Sequence, residues 1–407
     1  MSENNCAFEL EGRVRLFAGV LHPEAHPVQP FAESRMDFLS ELGKELRKDR
    51  RTAAFTDVAA FGFWCRKGNL KRLCESLAHP GDWIGRGLAF HIAPSNVPVN
   101  FAYSYALGLL AGDANIVRVS SKEFEQVSII CNAMERLFAQ EEYADIKNQT
   151  SVVSYGHDKE VTDYYSAVCD TRIIWGGDAT IETIRESKVG SRCTEIAFAD
   201  RYSIGILRPT VVTGMDEETL RQLAVNFYND TYLMDQNACT APHMLIWHVD
   251  NAEEKAAALE AKKRFWDAAA EAAGKYDLAD IKVSDKFDKL CNFLADCSGE
   301  VPQVLRYNNL LYVIPLKQLE GAIDTYRGAF GMFFEHDVEN LDDLASHMTK
   351  KVQTVAVCGV ERKEVIDFVF RNQLKGIDRV TAFGQTLDMG MAWDGYDIIG
   401  TLARIIG

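Results

Sequence analysis

From Gly87 onward, short unbroken apolar runs alternate with helical segments, and this alternation restricts the fold more than any other feature. GLAFHIAP, ANIVRVS, SVVSYG and TRIIWGG read as strands, with helices over Val99–Gly112, Phe124–Gln140, Lys159–Ala167 and Ala179–Lys188. In the second of these, Val127, Ile130, Met134 and Leu137 recur at spacings of three and four, which makes one apolar face. Strands that are apolar throughout are covered on both sides, and strand–helix alternation builds a parallel sheet with helices on both faces. The expected class is α/β. A second series follows, with strands at YSIGILRP, HMLIWHV, NLLYVIPL, GMFFEHDV and VQTVAVCG. Its helices are read at Asp216–Tyr228, Ala252–Ala273, Leu341–Thr349 and Lys363–Gln373. The tail reads as a strand, RVTAFG, then a helix over Tyr396–Ile406. Ahead of Gly87, HPEAHPVQP is a loop by its prolines, and FLSELGKELRKD and NLKRLCESL are helices. Boundaries near Arg208 and Lys375 divide the chain into residues 1–208, 209–375 and 376–407.

Charge and cysteine usage narrow the function. Asp and Glu number 59 against 44 Lys and Arg, a formal charge of −15, and no local basic patch offsets it. Such a chain repels phosphate backbones, so no nucleic-acid partner is expected. Hydrophobic residues at 47% exclude disorder as the main state. The longest mostly apolar stretch, Phe101–Gly112, falls short of the roughly 20 residues a spanning helix needs, so no membrane span is expected. The first residues, MSENNCAFELEG, are polar and acidic, unlike a secretory leader, and a cytoplasmic protein is expected. The ten cysteines form no CxxC pair and no zinc-finger spacing, so no metal site is expected. Most are flanked by apolar residues and read as small buried hydrophobes.

Several turns carry candidate chemistry. A doubly wound sheet places ligands at the carboxyl ends of its strands, although GxGxxG is absent. HIAPSNVPVN follows the first strand as a rigid turn. Asn96 there either donates its amide to an oxyanion or caps the next helix. Arg118, Ser120 and Ser121 sit just past the second strand, where Arg118 either pairs with a phosphate or lies on a solvated face. In WGGDAT, Gly176 and Gly177 open a helix as a phosphate site would, unless Asp178 simply caps it. MDQNACTAPHM is the sharpest segment. Cys239 has small or polar neighbours, as a reachable thiol would, whereas most lone cysteines are buried. His243, four residues on, reads as a strand-entry histidine with a satisfied hydrogen bond.

Taken together these segments resemble the aldehyde dehydrogenase superfamily, and within it the fatty acyl-CoA reductases of the bacterial luminescence type (LuxC). The resemblance covers Gly87–Gly407. Ile92, Pro94, Asn96 and Pro98 match the superfamily's I-x-P-x-N-x-P turn. Arg118–Ser121 take the place of its K-P-S-E segment, and Trp175–Asp178 that of its F-T-G-S turn. Asp235–Cys239, DQNAC, with Pro242 behind it, is the luminescence-type nucleophile loop. KKVQTV (Lys350–Val355) and WDGYD (Trp393–Asp397) also look like that branch.

The resemblance implies an aldehyde-dehydrogenase-like fold: a parallel-sheet cofactor domain, an α/β catalytic domain and a C-terminal segment that returns to the cofactor domain or to an oligomer interface. It implies Cys239 as nucleophile and Asn96 as oxyanion donor. Ala93, Pro94, Ser95, Arg118, Ser120, Ser121, Gly176, Gly177 and Asp178 would hold the cofactor. Arg118 points to NADPH, with NADH as the other choice. The superfamily's E-L-G-G general-base segment is met only by TEIAFAD, so Glu195 is either that base or a strand residue in a structural ion pair. The implied reaction is reduction of an acyl thioester to an aldehyde through an acyl-cysteine, the donor being acyl-CoA or an acylated partner protein. The alternatives are an aldehyde dehydrogenase releasing an acid, an acyltransferase or thioesterase using the same cysteine, and a non-catalytic interaction module. A homodimer or homotetramer is expected by analogy.

Overall fold

The computed structural model describes residues 9–77, 82–297 and 302–407. The chain forms two compact units, one up to Ala199 joined by Gly390–Gly407, the other Asp200–Met389.

The first unit holds a six-stranded sheet in the order β1-β5-β4-β3-β6-β7. Its strands are β1 (Arg15–Gly19), β3 (Leu88–Ile92), β4 (Ala114–Arg118), β5 (Thr150–Ser154), β6 (Thr171–Trp175) and β7 (Thr194–Phe198). All are parallel except β1, which pairs antiparallel with β5 at the edge. Helices α1 (Glu33–Lys48), α2 (Thr56–Trp64) and α3 (Lys67–Glu75) precede the parallel strands. Then come α4 (Asn100–Ala111), α5 (Glu125–Phe138), α6 (Ala144–Asn148), α7 (Lys159–Val168) and α8 (Asp178–Arg185). Helix α4 is apolar on every side and is buried almost throughout, as a helix without a polar face must be. Gly112 ends it at φ +94°, a left-handed cap that a Cβ would strain. Phe90, Ile92, Ile116, Val153, Tyr165 and Ile174 form the core on one sheet face.

The second unit holds a seven-stranded sheet in the order β10-β11-β12-β9-β8-β13-β14. Its strands are β8 (Tyr202–Leu207), β9 (Pro242–His248), β10 (Leu305–Tyr307), β11 (Leu311–Leu316), β12 (Met332–Val338), β13 (Val352–Cys358) and β14 (Arg379–Ala382). Only β10 runs antiparallel. Its helices are α9 (Pro209–Gly214), α10 (Glu217–Thr231), α11 (Ala252–Ala273), α12 (Asp280–Asp296) and α13 (Arg362–Asn372). Ile204, Ile206, Met244, Ile246, Ile314 and Phe334 fill one face of this sheet, and Leu207, Leu245, Trp247, Val313 and Phe333 the other. This two-sided burial explains why the strands read as unbroken apolar runs.

Several expectations are corrected. The break falls at Ala199/Asp200 and not near Arg208, because Tyr202–Leu207 is already a central strand of the second sheet. It falls again at Met389/Gly390 and not near Lys375, because β14 still pairs with β13. Tyr396–Ile406 is not one helix. It divides into β16 (Tyr396–Asp397), α14 (Ile398–Leu402) and β17 (Ala403–Ile405), after a short β15 (Ala392–Trp393). Strand β17 pairs with β2 (Trp83–Gly85), so pairing overrides helical periodicity there. Leu341–His347 is a 3-10 helix. Strand β1 and helices α2 and α12 lie where the sequence reading placed none. Among the described cysteines only Cys65, Cys131 and Cys169 are buried, and Cys291 is exposed. Cys6 lies outside the described residues.

Candidate active site

In the first sheet the strand order reverses between β3 and β6, and the crevice at the carboxyl ends of those two strands is a topological switch point. The turns Ala93–Pro98 and Gly176–Gly177 leave those two ends, and Arg118 ends β4 beside them. Three sequence candidates from far apart thus meet at one sheet edge. A buried network supports it from below. His91 Nδ1 meets Ser104 Oγ at 2.7 Å, and His91 Nε2 meets Asn115 Oδ1 at 2.9 Å. Trp175 Nε1 donates to the same Ser104 Oγ at 2.9 Å, and its ring stacks on Phe198 at 3.8 Å. Burial lowers the His91 pKa to about 4, so the ring is neutral at pH 7.

Asn96 does not cap α4. That helix starts at Asn100 behind Val99, with no side-chain cap, and Asn96 is exposed in the preceding turn. Arg118 donates to the Gly156 carbonyl at 3.1 Å and lies over the Tyr155 ring at 4.8 Å. Its Nε is buried and has no hydrogen-bond partner. Ser120 Oγ accepts from the Lys122 N–H at 3.1 Å, and Ser121 is exposed. Gly177, not Asp178, is the N-cap of α8. It is exposed, and a Cβ there would meet nothing within 4 Å. Asp178 occupies the first helical turn.

Glu195 lies elsewhere on this sheet. It is the second residue of β7, directly opposite Arg172 of β6, toward the amino ends of both strands. Arg172 donates to its carboxylate at 2.8 and 2.5 Å, and Arg185 at 2.7 Å. Burial raises its pKa, but the hydrogen bonds from Arg185 and Arg172 outweigh burial and hold it below the ordinary glutamate value.

The Cys239 loop precedes β9, at the amino edge of the second sheet. Asp235 and Gln236 are both left-handed, at φ 53° and 63°. Two such residues in a row need outside support, and the structure supplies it. Lys282 Nζ of α12 donates to both Asp235 oxygens at 2.9 Å, and the Tyr276 hydroxyl donates at 2.5 Å. The buried Gln236 Nε2 donates to the Met332 carbonyl at 3.1 Å, while its Oε1 accepts from the Gly331 N–H at 3.1 Å. Ser203 Oγ of β8 donates to the Cys239 carbonyl at 2.8 Å. Cys239 is left half-buried on a braced turn.

His243 enters β9 stacked on Tyr202 at 5.3 Å. Burial takes its pKa down to about 3, and its Nδ1 has no hydrogen-bond partner, so the satisfied pairing expected of it is incomplete. Lys282, Tyr276, Ser203 and Gly331 brace the loop but were not legible as site residues. They lie on segments remote in sequence, and only the fold brings them in. A cavity of about 1180 Å³ lies in this unit against α12, β11 and β12. Phe293, Leu316, Tyr326, Met332 and Phe334 line it together with Lys289. Met332 is the residue whose carbonyl holds Gln236. Among the described residues no cluster of three metal-ligating side chains occurs, and no helix is long and apolar enough to cross a membrane.

Known proteins agree with this architecture. The model of the acyl-CoA reductase (LuxC) family matches residues 69–405. No curated protein matches the chain. Among solved structures, it resembles a proline utilization A mutant from Bradyrhizobium japonicum at 15% identity and TM-score 0.57. That match covers 91% of this chain and only 42% of the other, so the chain spans less than half of that protein. A NAD-dependent benzaldehyde dehydrogenase from Corynebacterium glutamicum matches at 14% identity and TM-score 0.59, covering 93% and 85% of the two chains. The glyceraldehyde-3-phosphate dehydrogenase GapN of Methanocaldococcus jannaschii, complexed with NADP, matches at 12% identity and TM-score 0.56, covering 92% and 88%. At these identities the structures show the fold, which is that of the aldehyde dehydrogenases. The family match over most of the length settles the rest: the chain belongs to the acyl-CoA reductase (LuxC) family and is an oxidoreductase of acyl or aldehyde substrates that uses a nicotinamide cofactor.

Proposed function

We propose that the protein reduces an acyl thioester to an aldehyde with NADPH, through an acyl-enzyme on Cys239. The observation that carries this reading is the bracing of the Cys239 loop from α12, β12 and β8. A nucleophile gains from such fixed presentation, whereas a cysteine that merely packs has no need of it.

In this reading the Cys239 thiolate attacks the thioester carbonyl, the C–S bond to the carrier breaks, and the carrier thiol takes up a proton. The backbone N–H of Cys239 donates to the tetrahedral oxyanion. We assign Asn96 the second oxyanion donor, because its exposed amide is not spent on capping α4. Glu195 is assigned a structural role, since two arginines hold it. An oxidation ending in a free acid needs a base for water, and the Glu195 carboxylate is already held by Arg172 and Arg185. That favours the reductive direction. The cavity beside Met332, at about 1180 Å³, is somewhat larger than the roughly 300–1,000 Å³ of drug-sized ligand sites, and its mixed lining suits an acyl chain with a polar carrier.

The cofactor fits the first unit. The buried, unpartnered Nε of Arg118 is a donor awaiting an acceptor at the end of β4, and Gly177 leaves the mouth of α8 open. Ala93, Pro94, Ser95, Arg118, Ser120, Ser121, Gly176, Gly177 and Asp178 would hold it, with Arg118 facing a 2′-phosphate. When bound, the nicotinamide supplies the hydride that turns the acyl-cysteine carbonyl into the aldehyde.

The test is intact-protein mass after incubation with a panel of acyl-CoAs without NADPH. An acyl adduct on the wild type, absent from Cys239→Ser, is the expected result and also gives the preferred chain length. No adduct with any CoA ester would rule out free acyl-CoA as the donor. A repeat with an acylated carrier protein then decides whether Cys239 takes acyl groups at all.

A further inference from the structure

Two thiols that the proposed reaction does not use meet in the first unit. Cys169 is the C-cap of α7, and Cys193 stands just ahead of β7. They are 24 residues apart in sequence, yet their sulfurs lie 3.9 Å apart. The sheet brings them together. Thr171 at the start of β6 is the register partner of Thr194 at the start of β7, and the Thr194 N–H donates to the Asp170 carbonyl at 3.0 Å. Both backbones are fixed. The Cys169 N–H donates to the Tyr165 carbonyl at 3.2 Å, and the Cys193 N–H to that of Gly190 at 2.9 Å.

Their surroundings divide the two roles. Cys169 is buried in the core that holds Phe90, Tyr165 and Ile174. Cys193 is half-buried and follows the exposed Ser191 and Arg192. A small oxidant therefore reaches Cys193 first, and the buried sulfur is the nearest thiol to whatever forms there.

We propose that Cys193 and Cys169 are a second reactive site, a dithiol that a peroxide converts to a reversible disulfide. The Cys193 thiolate attacks one peroxide oxygen, the O–O bond breaks, and the departing oxygen takes up a proton as water or an alcohol. Cys193 is then a sulfenic acid. The Cys169 sulfur attacks it, the S–S bond forms, and the displaced hydroxide leaves as water with the Cys169 proton. The two thiols together lose two electrons and two protons, and the peroxide is reduced. A dithiol reverses the bond by exchange. A disulfide holds its sulfurs about 2 Å apart, so closure takes a movement of about 2 Å. The segment 188–192 next to Cys193 belongs to no helix or strand and can supply it.

Electrostatics support the assignment of the attacking thiol. The hydrogen bond from Cys169 holds the Cys193 pKa below the ordinary thiol value, burial opposes this, and the Arg172 guanidinium adds to it. Glu195 and Asp170 are the acids that oppose the thiolate, and Glu195 is itself held by Arg172 and Arg185. Cys239 lies in the other unit and takes no part in this chemistry.

The experiment is peptide mapping of the full-length wild-type protein over a series of hydrogen peroxide doses, with free thiols blocked by iodoacetamide before digestion. Exposed Cys291 serves as the internal control. A peptide pair joined through Cys169 and Cys193 is expected at doses that leave Cys291 reduced. It should be two hydrogens lighter than the separate thiols and disappear with dithiothreitol. In Cys169→Ala, dimedone is expected to trap a sulfenic acid on Cys193. In Cys193→Ala, no dimedone adduct is expected on the buried Cys169. Recovery of both wild-type cysteines as free thiols at a dose that oxidises Cys291 would overturn the proposal, a result that needs no variant to fold. A dimedone adduct on Cys169 in place of Cys193 would overturn the division of roles. Acyl adducts on Cys239 are read on a separate peptide, so the thioester reading stands or falls apart from this one.

Discussion

The N–H of Gly331 donates to the side-chain oxygen of Gln236 at 3.1 Å, which fixes the Cys239 loop to the start of β12. The other end of the same amide donates to the carbonyl of Met332. One buried side chain therefore satisfies two backbone groups at the start of β12, and its nitrogen also lies 3.4 Å from the Pro242 carbonyl. Gln236→Leu keeps the bulk and removes the pairing. Leaving buried donors and acceptors unmade costs about 1–3 kcal/mol each. We expect a loss of about 2–4 kcal/mol in urea unfolding, with turnover down at least about tenfold as the loop loosens. Unchanged stability and turnover in Gln236→Leu would refute the bracing argument.

Gly331 is sensitive for a second reason. Its φ is +87°, and an added Cβ would lie 2.1 Å from the Leu310 carbonyl oxygen and 2.8 Å from the Tyr232 hydroxyl. Strain and overpacking together predict that Gly331→Ala loses about 3 kcal/mol or more. Thermal unfolding would read this as a fall of about 6 °C or more. A melting temperature within a degree of the wild type would show that the turn relaxes freely.

Glu195 tests the division between base and brace. As an ion-pair residue, Glu195→Gln should keep most turnover under conditions where the protein is folded. It should lose about 1–3 kcal/mol of stability at pH 7, because Arg172 is left buried without its carboxylate. The pH dependence has a definite sign. A carboxylate whose folded pKa is depressed adds stability above its unfolded pKa, and that stability is lost as pH falls through the folded value. The gap between wild type and Glu195→Gln should therefore narrow as pH falls below about 4.5. A hundredfold loss of turnover in a folded Glu195→Gln protein would return the residue to the chemistry.

How far the sequence reached follows from what each signal encodes. The parallel strands were legible because burial on both faces writes an unbroken apolar run, as in YSIGIL and HMLIWH. Strand β1 carries no such run, since it lies at an edge and pairs on one side only. Helix α12 does carry helical spacing, at Val283, Phe287, Leu290 and Leu294, but it buries little of that face, and nothing in the pattern marks Lys282. Cys239, Arg118 and the paired glycines stood out as local motifs. Ser203 did not, because its hydrogen bond to the Cys239 carbonyl is brought about only by the fold. The two readings of Glu195 were undecidable from TEIAFAD alone. Its place opposite Arg172, away from the carboxyl edge, is a fact of topology.

Arg118 gives the test of cofactor choice. Its guanidinium rests on Tyr155 and the Gly156 carbonyl at the carboxyl end of β4, with one buried nitrogen unpaired. A charge-assisted hydrogen bond to a phosphate is worth about 1.5–3 kcal/mol, which converts to about 10- to 100-fold in affinity. Arg118→Gln should therefore raise the KM for NADPH by about 10- to 100-fold while leaving that for NADH nearly unchanged. The folded state should survive, because the residue's neighbours are a ring face and backbone carbonyls rather than a buried carboxylate. Steady-state kinetics with both cofactors on the same preparation separates the outcomes. An equal loss with NADH and NADPH would mean that Arg118 shapes the adenosine pocket without reading the phosphate. No loss with either would move the 2′-phosphate site away from β4, and Lys122 on the following turn would be the next residue to replace.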